Sequence, residues 1–135
     1  MTEQELNRVR DILNKIRDET RKLNARRREA DSLVPILDGT PHTPSQNSRV
    51  EGLAIKIVDS EHLIDRLKDE MAAAAIELSA KLQHSELNPH EYEVISARYV
   101  ACKNFRAIQF ELHYSDAHVF YLHRQGVKKL LSKVV

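Results

Sequence analysis

The chain has 135 residues, room for one modest domain or for a small domain with a long appendage. Charged residues make up 30% and aromatic residues 5%, with no Trp and three Gly, a balance that favours helices and excludes a core built on aromatic mass. The net charge of +1 singles out no partner, but nine Lys/Arg against seven Asp/Glu in residues 1–34, five against nine in 35–87 and seven against four in 88–135 place +2, −4 and +3 along the chain.

From Arg98 onward the count is seven against two, so positive charge gathers where a nucleic-acid surface would need it. Cys102 is the single cysteine, which rules out an internal disulfide and suits a reducing compartment. The start, MTEQELNRVRDIL, has no apolar stretch of the kind a secretory signal carries. The longest apolar run, MAAAAI at 71–76, is too short to span a membrane, so no membrane partner is expected.

The first helix is expected from about Glu3 to Val34. Leu6, Val9, Leu13, Ile16, Leu23, Ala30 and Val34, with Thr20 and Arg27 filling the gaps, step by 3 and 4 throughout, the seam of a coiled coil. The polar entries at Thr20 and Arg27 weaken that seam and are candidates to fix its register. The basic run RKLNARRRE (21–29) reads as a solvated helix face or as a second patch for phosphate contacts. Three prolines and a glycine in PILDGTPHTPSQNS (35–48) predict a loop or hinge.

A second long helix is expected from about Arg49 to Leu82. Val50, Leu53, Ile57, Ser60, Ile64, Leu67, Met71, Ala74 and Leu78 again step by 3 and 4. A helix on the order of 50 Å long with so narrow a stripe needs a partner helix. The first segment, folded back across the Pro-rich loop, is one partner and a second copy of the chain is another. The acidic residues Asp59, Glu61, Asp65, Asp69 and Glu70 read as its solvated face.

The best-marked boundary follows. Asn88 is a good N-cap, Pro89 suits the first helical position and Glu91 completes a capping box. Tyr92, Ile95, Ala97 and Tyr99 then supply the apolar contacts of a short helix ending near Val100. A second short helix from about Asn104 to Leu112 carries Phe105, Ile108 and Leu112. The turn is His113–Ser115, and Ser115 caps a longer helix with Asp116 in its first turn.

The layout is that of a helix-turn-helix. The stretch Leu87, Glu91, Val94, Ile95, Arg98, Tyr99, Val100, then Phe105 and Ile108, the turn Leu112–His113–Tyr114–Ser115, and Val119, Leu122, His123, Gly126, Val127 and Leu130 resembles region 4 of bacterial sigma-70 factors. It is similar, more closely, to the phage RinA/ArpU-like regulators of late genes. The similarity covers about the last 48 residues and extends through AIKIVDSEHLIDRL back to about Ser48. It departs from the family pattern at His113, where glycine usually makes the turn, at Gly126, where alanine is common, and at Phe120–Tyr121, where an aromatic is followed by Arg or Lys.

The reading is an all-α protein in two parts: a long antiparallel, coiled-coil-like helical hairpin over 1–83 with its loop at 35–48, which the 3,4 spacing predicts, and a C-terminal sigma region-4-like helix-turn-helix over 86–135, which the resemblance implies. The resemblance also implies a sequence-specific DNA-binding transcription regulator of phage or prophage late genes, working in the cytoplasm of a bacterial host. Its expected partners are double-stranded DNA, RNA polymerase and a second copy through the long helices. On the last helix Asp116, Ala117, Phe120, Tyr121, Arg124 and Lys128 are expected to face outward, with Ser115 at its start. Arg124 suits a bidentate contact to guanine, Ala117 and Phe120 suit thymine methyls, and Lys103, Arg106, Lys128 and Lys129 suit phosphates on either side.

Two further readings stay open. A protein-interaction module of antirepressor or inhibitor type reuses the same fold with little DNA binding. A DNA-packaging recognition subunit also combines these parts, but usually with the DNA-binding part first. No cofactor or metal is expected: His113, His118 and His123 lie five apart, each rotated about 140° from the last, and Cys102 has no second thiol. Nor is enzymatic activity expected, since no Gly-rich phosphate loop, nucleophile elbow or paired-carboxylate context occurs.

Overall fold

The computed structural model describes residues 1–37 and 44–132, with side chains for all of these except 34–37 and 44–47. Among the described residues every regular element is helical: α1 (Glu3–Leu37), α2 (Pro44–Gln83), α3 (Pro89–Ile95) continuing as a π-helical turn (Ser96–Val100), α4 (Phe105–Leu112) and α5 (Asp116–Leu131). None of these helices is long and apolar enough to cross a membrane. The expected loop at 35–48 is helical at both ends, since α1 runs to Leu37 and α2 starts at Pro44; residues 38–43 lie outside the described ones. A proline is tolerated at a first helical position because the N–H it lacks has no intrahelical acceptor there.

The chain forms two compact units, Met1–Ile12 with Glu70–Val135, and Leu13–Asp69. The division falls within the two long helices and not at the 84–88 turn. In the first unit, Leu6, Val9 and Ile12 of α1 and Ala74, Leu78 and Leu82 of α2 are buried, with exposed ion pairs Arg8–Glu77 at 3.2 Å and Lys81–Glu5 at 3.9 Å joining the two helices. Pairs this exposed add little, and burial of the aliphatic side chains stabilises the helix pair more.

In the second unit Ile16, Leu23, Leu53 and Ile64 are buried around Ser60, itself 2% exposed. The Ser60 hydroxyl donates to Glu19 Oε1 at 2.8 Å and accepts from Arg26. Arg27 pairs with Glu61 at 3.1 Å and Arg49 with Glu29 at 2.9 Å.

The apolar stripe of α2 reads as expected: Leu53, Ser60, Ile64, Ala74 and Leu78 are buried, and Val50, Ile57, Leu67 and Met71 are half-buried. On α1 Leu13 is half-buried, as expected, with Ile12 buried beside it, and Arg26 turns inward where Arg27 was expected. Thr20 does not pair across the helices; its hydroxyl donates back to the Ile16 carbonyl at 2.7 Å. The polar layer that can hold register is therefore Glu19–Ser60–Arg26. The side chain of Val34 lies outside the described ones.

Candidate nucleic-acid interface

The local chemistry of residues 88–132 sets each helix end. Asn88 accepts from the Glu91 N–H at 2.8 Å and Glu91 accepts from the Asn88 N–H at 3.1 Å, the reciprocal capping box. Asn104 caps α4 by accepting from the Ala107 N–H at 2.8 Å. Ser115 caps α5 by accepting from the His118 N–H at 3.2 Å. Between them His113 takes the left-handed conformation, φ 58 and ψ 37, that ends α4. The turn geometry that glycine normally supplies is thus held by a histidine, at the steric cost such a residue carries.

The π-helical turn is the departure from an ordinary helix end. Its bonds reach one residue further, as in Ala101 N–H to the Ser96 carbonyl at 3.0 Å. The short helix does end at Val100, as expected, but through this wider turn. It delivers Arg98 over the Phe105 ring, 4.4 Å from the centroid, and Tyr99 onto His123.

Val94, Ile108, Val119 and Leu122 form the buried core that α3, α4 and α5 share, with Ala97, Phe105, Leu112 and Tyr114 packed against it. Gly126 and Leu130 continue the inward face of α5, and Val127 is half-buried. The opposite face carries Asp116, Ala117, Phe120, Tyr121, Arg124 and Lys128, all exposed, as is Ser115. Phe120 keeps 46% and Tyr121 52% of its surface in solvent, so neither is buried against protein. Phe120 is nonetheless backed from behind: its ring packs on Phe105 with centroids 4.9 Å apart.

The basic residues separate into two groups. Arg106, Arg124 and Lys128 are exposed, with no ion-pair partner among the described residues. Lys103 is committed elsewhere, with Nζ 2.5 Å from Glu111, although its side chain stays 39% exposed. Lys129 is committed more deeply. Its Nζ donates to Glu91 Oε1 at 2.6 Å, and the Glu91 side chain is 4% exposed. Burial alone would raise the Glu91 carboxyl, but the Lys129 hydrogen bond, the Asn88 N–H and the Lys129 charge outweigh it and hold Glu91 below its ordinary value. Lys129 thereby ties α5 to the cap of α3.

His123 lies beside this face and belongs to the packing. Tyr99 stacks on it at 5.6 Å, Phe105 meets it edge-on at 5.0 Å, and its Nε2 lies 2.8 Å from the Tyr99 hydroxyl. Burial, then the charges of Arg98 and Arg10, push its imidazole below the ordinary value. Neutral, it can accept from Tyr99 at Nε2.

Sequence reasoning missed Phe110, the most exposed large hydrophobic residue described, at 81%. The signal was present. Phe110 falls two positions after Ile108, roughly 200° round the helix from the Phe105–Ile108–Leu112 stripe. Among the described residues, no three His, Cys, Asp or Glu side chains gather as metal ligands would. Comparison of the chain with protein-family models, with characterised proteins and with solved structures finds no match.

Proposed function

We propose that this chain is a sequence-specific DNA-binding transcription regulator of phage or prophage late genes, with α4, the His113–Ser115 turn and α5 acting as a helix-turn-helix. In this reading α1 and α2 form an antiparallel hairpin, the protein works as a dimer through its long helices, and RNA polymerase is a second partner. One observation carries it: α5 is capped, set by a tight turn and packed along one side, and its opposite side presents Ala117, Phe120, Tyr121, Arg124 and Lys128 to solvent. Arg124 is the base reader, Arg106 and Lys128 contact phosphates, and Lys103 does so only by leaving Glu111.

The test is selection of bound duplexes from a randomised library, followed by affinity measurements on the enriched and a scrambled sequence. Wild type enriches a defined site. Arg124→Ala weakens binding to that site by about 5- to 150-fold, the worth of one bidentate base contact, and relaxes preference at one position. No enrichment at low salt, or an Arg124→Ala variant with unchanged selectivity, removes the regulator reading.

Phe110 favours a second reading, a protein-interaction module. An aromatic ring left 81% in solvent on α4 is the kind of anchor that a protein partner covers. Under that reading Phe110→Ser abolishes partner capture and leaves DNA affinity unchanged.

A further inference from the structure

We propose that the outer ridge of α1 within the Leu13–Asp69 unit, made by Arg17, Arg21 and Arg28 with Asn14 and Asn24, binds the phosphate backbone of duplex DNA independently of the α5 face. The proposal rests on the DNA-binding reading above only in naming duplex DNA as the polyanion. Asn14, Arg17, Arg21, Asn24 and Arg28 step by 3, 4, 3 and 4, and all five are exposed. At 100° per residue the three arginines fall within roughly 40° of one another round the helix axis, spread over about 16 Å of its length. Asp18 and Glu29 lie roughly 80–100° away, on the flank of the same helix, and exposed Asp31, three residues beyond Arg28, ends the ridge with a negative charge.

Of the other cations of α1 in this unit, Lys15 is exposed roughly 140° round the helix from the ridge, and the remaining three are used inside the unit. Arg26 meets Ser60 and Glu19, Arg27 meets Glu61, and Lys22 lies 4.0 Å from Glu19. On the ridge, Arg21 pairs with Asp18 but stays 78% exposed, and Arg17 and Arg28 have no partner among the described residues. Arg17 and Arg28 thus keep their charge for a ligand, and Arg21 is held only by an exposed partner.

The composition of the ridge selects its ligand class. A protein–protein interface has an apolar centre, and the ridge offers no apolar side chain to bury in one. Protein–DNA interfaces are polar, cationic and built from Arg, Lys, Asn and Gln contacts to phosphate. A duplex presents one negative charge per roughly 1.7 Å of its axis, so several phosphates lie within the reach of a 16 Å ridge. No base reading is involved, and the ridge adds affinity without preference.

The salt dependence of binding tests this. Anisotropy titrations of full-length protein on the enriched and scrambled duplexes, from 50 to 200 mM salt, compare wild type with R17Q/R28Q, R17K/R28K and R124A. Each lost phosphate contact makes the slope of log affinity against log salt shallower by about 0.9. R17Q/R28Q is therefore expected to be shallower by about 1.8 and to lose about tenfold less affinity than wild type across that range. R17K/R28K is expected to keep the wild-type slope. The ratio of enriched to scrambled affinity is expected to hold in R17Q/R28Q and to fall in R124A.

Should R17Q/R28Q prove poorly folded by circular dichroism, Arg28→Gln alone carries the test, with a shift of about 0.9. An unchanged slope in R17Q/R28Q beside intact selectivity overturns the ridge and leaves the regulator reading standing. A shallower slope in R17Q/R28Q with no selectivity in wild type supports the ridge and overturns the regulator reading. If wild type binds neither duplex at 50 mM salt, both fall.

Discussion

Gly126→Ala puts the close approach of α5 to α3 to a quantitative test. A Cβ at Gly126 would stand 2.7 Å from Ile95 Cγ1, 3.0 Å from Ile95 Cδ1 and 3.5 Å from Leu87 Cδ2. Carbon atoms sit comfortably at about 3.5–4.0 Å, so Ile95 must yield by about an ångström. Ile95 is fully buried, and its Cγ1 is one bond from the branch point and not a free end, so it has little room to move. Overpacking of this kind costs about 1–3 kcal/mol. Replacing a glycine within a helix by alanine returns about 1 kcal/mol of helix propensity. The net expectation is a destabilisation of about 1 kcal/mol, read by urea denaturation followed by circular dichroism. Ile95→Val, which costs about 0.5–1.5 kcal/mol by itself, removes the Cδ1 contact. In that background the Gly126→Ala penalty should shrink, and the double-mutant cycle measures by how much. A Gly126→Ala protein stabilised by about 1 kcal/mol in the wild-type background would show that propensity alone decides and that the packing argument is wrong.

Glu91→Gln should flatten the acid limb of the stability curve. Because the folded carboxyl is held below its ordinary value of 4.5, its stabilising contribution is complete above about pH 4.5 and is lost as pH falls through the lower folded value; a variant with an unchanged acid limb would contradict this. At pH 7 the same substitution should cost about 1.5 kcal/mol, the lower end for a hydrogen bond to a charged group, because Lys129 is 40% exposed and can rehydrate. His113→Gly should stabilise the protein by about 0.5–1 kcal/mol, since glycine takes the left-handed conformation without the Cβ penalty and offsets that against its greater unfolded-state freedom. His113 is exposed, so a lower urea midpoint in this variant would mean that its side chain contributes an interaction that the turn geometry does not reveal.

How much of this was legible in the sequence depended on how local its cause was. All nine expected stripe positions of α2 are buried or half-buried, because a 3,4 spacing over about eight turns admits one inward face. The caps at Asn88, Asn104 and Ser115 were equally readable, each depending on a side chain and an N–H three residues on. On α1 the same logic slipped at Arg26–Arg27, and it did not anticipate Ile12 buried beside the half-buried Leu13. At the arginines two neighbours of the same type compete for one inward position, and propensity cannot separate them; packing against the other helix decides. The Lys129–Glu91 pair was not readable, because its partners lie 38 residues apart, beyond any local pattern. Nothing in SARYV announces a π-helical turn, so the placement of Arg98 over Phe105 and of Tyr99 on His123 was visible only in three dimensions.

Those last contacts bear on how the exposed face of α5 would bind. Phe120 sits on Phe105, which lies beneath the Arg98 guanidinium, while His123, one turn along from Phe120, is held by Tyr99 and Phe105. A ring supported in this way has already given up rotamer freedom, so little further entropy is lost when a ligand covers it. Arg124 and Lys128 have no such support and lose roughly 0.5–1.5 kcal/mol each when immobilised. The face is therefore divided in its energetics. A pre-set apolar contact at Phe120 contributes at low ordering cost, and the flexible cations contribute only where phosphate or a base edge returns more than their ordering takes away. Under the proposed function, a face of that kind gives modest affinity from each copy, and phosphate attraction from outside α5, or a second copy of the chain, raises it without changing which sequence is read.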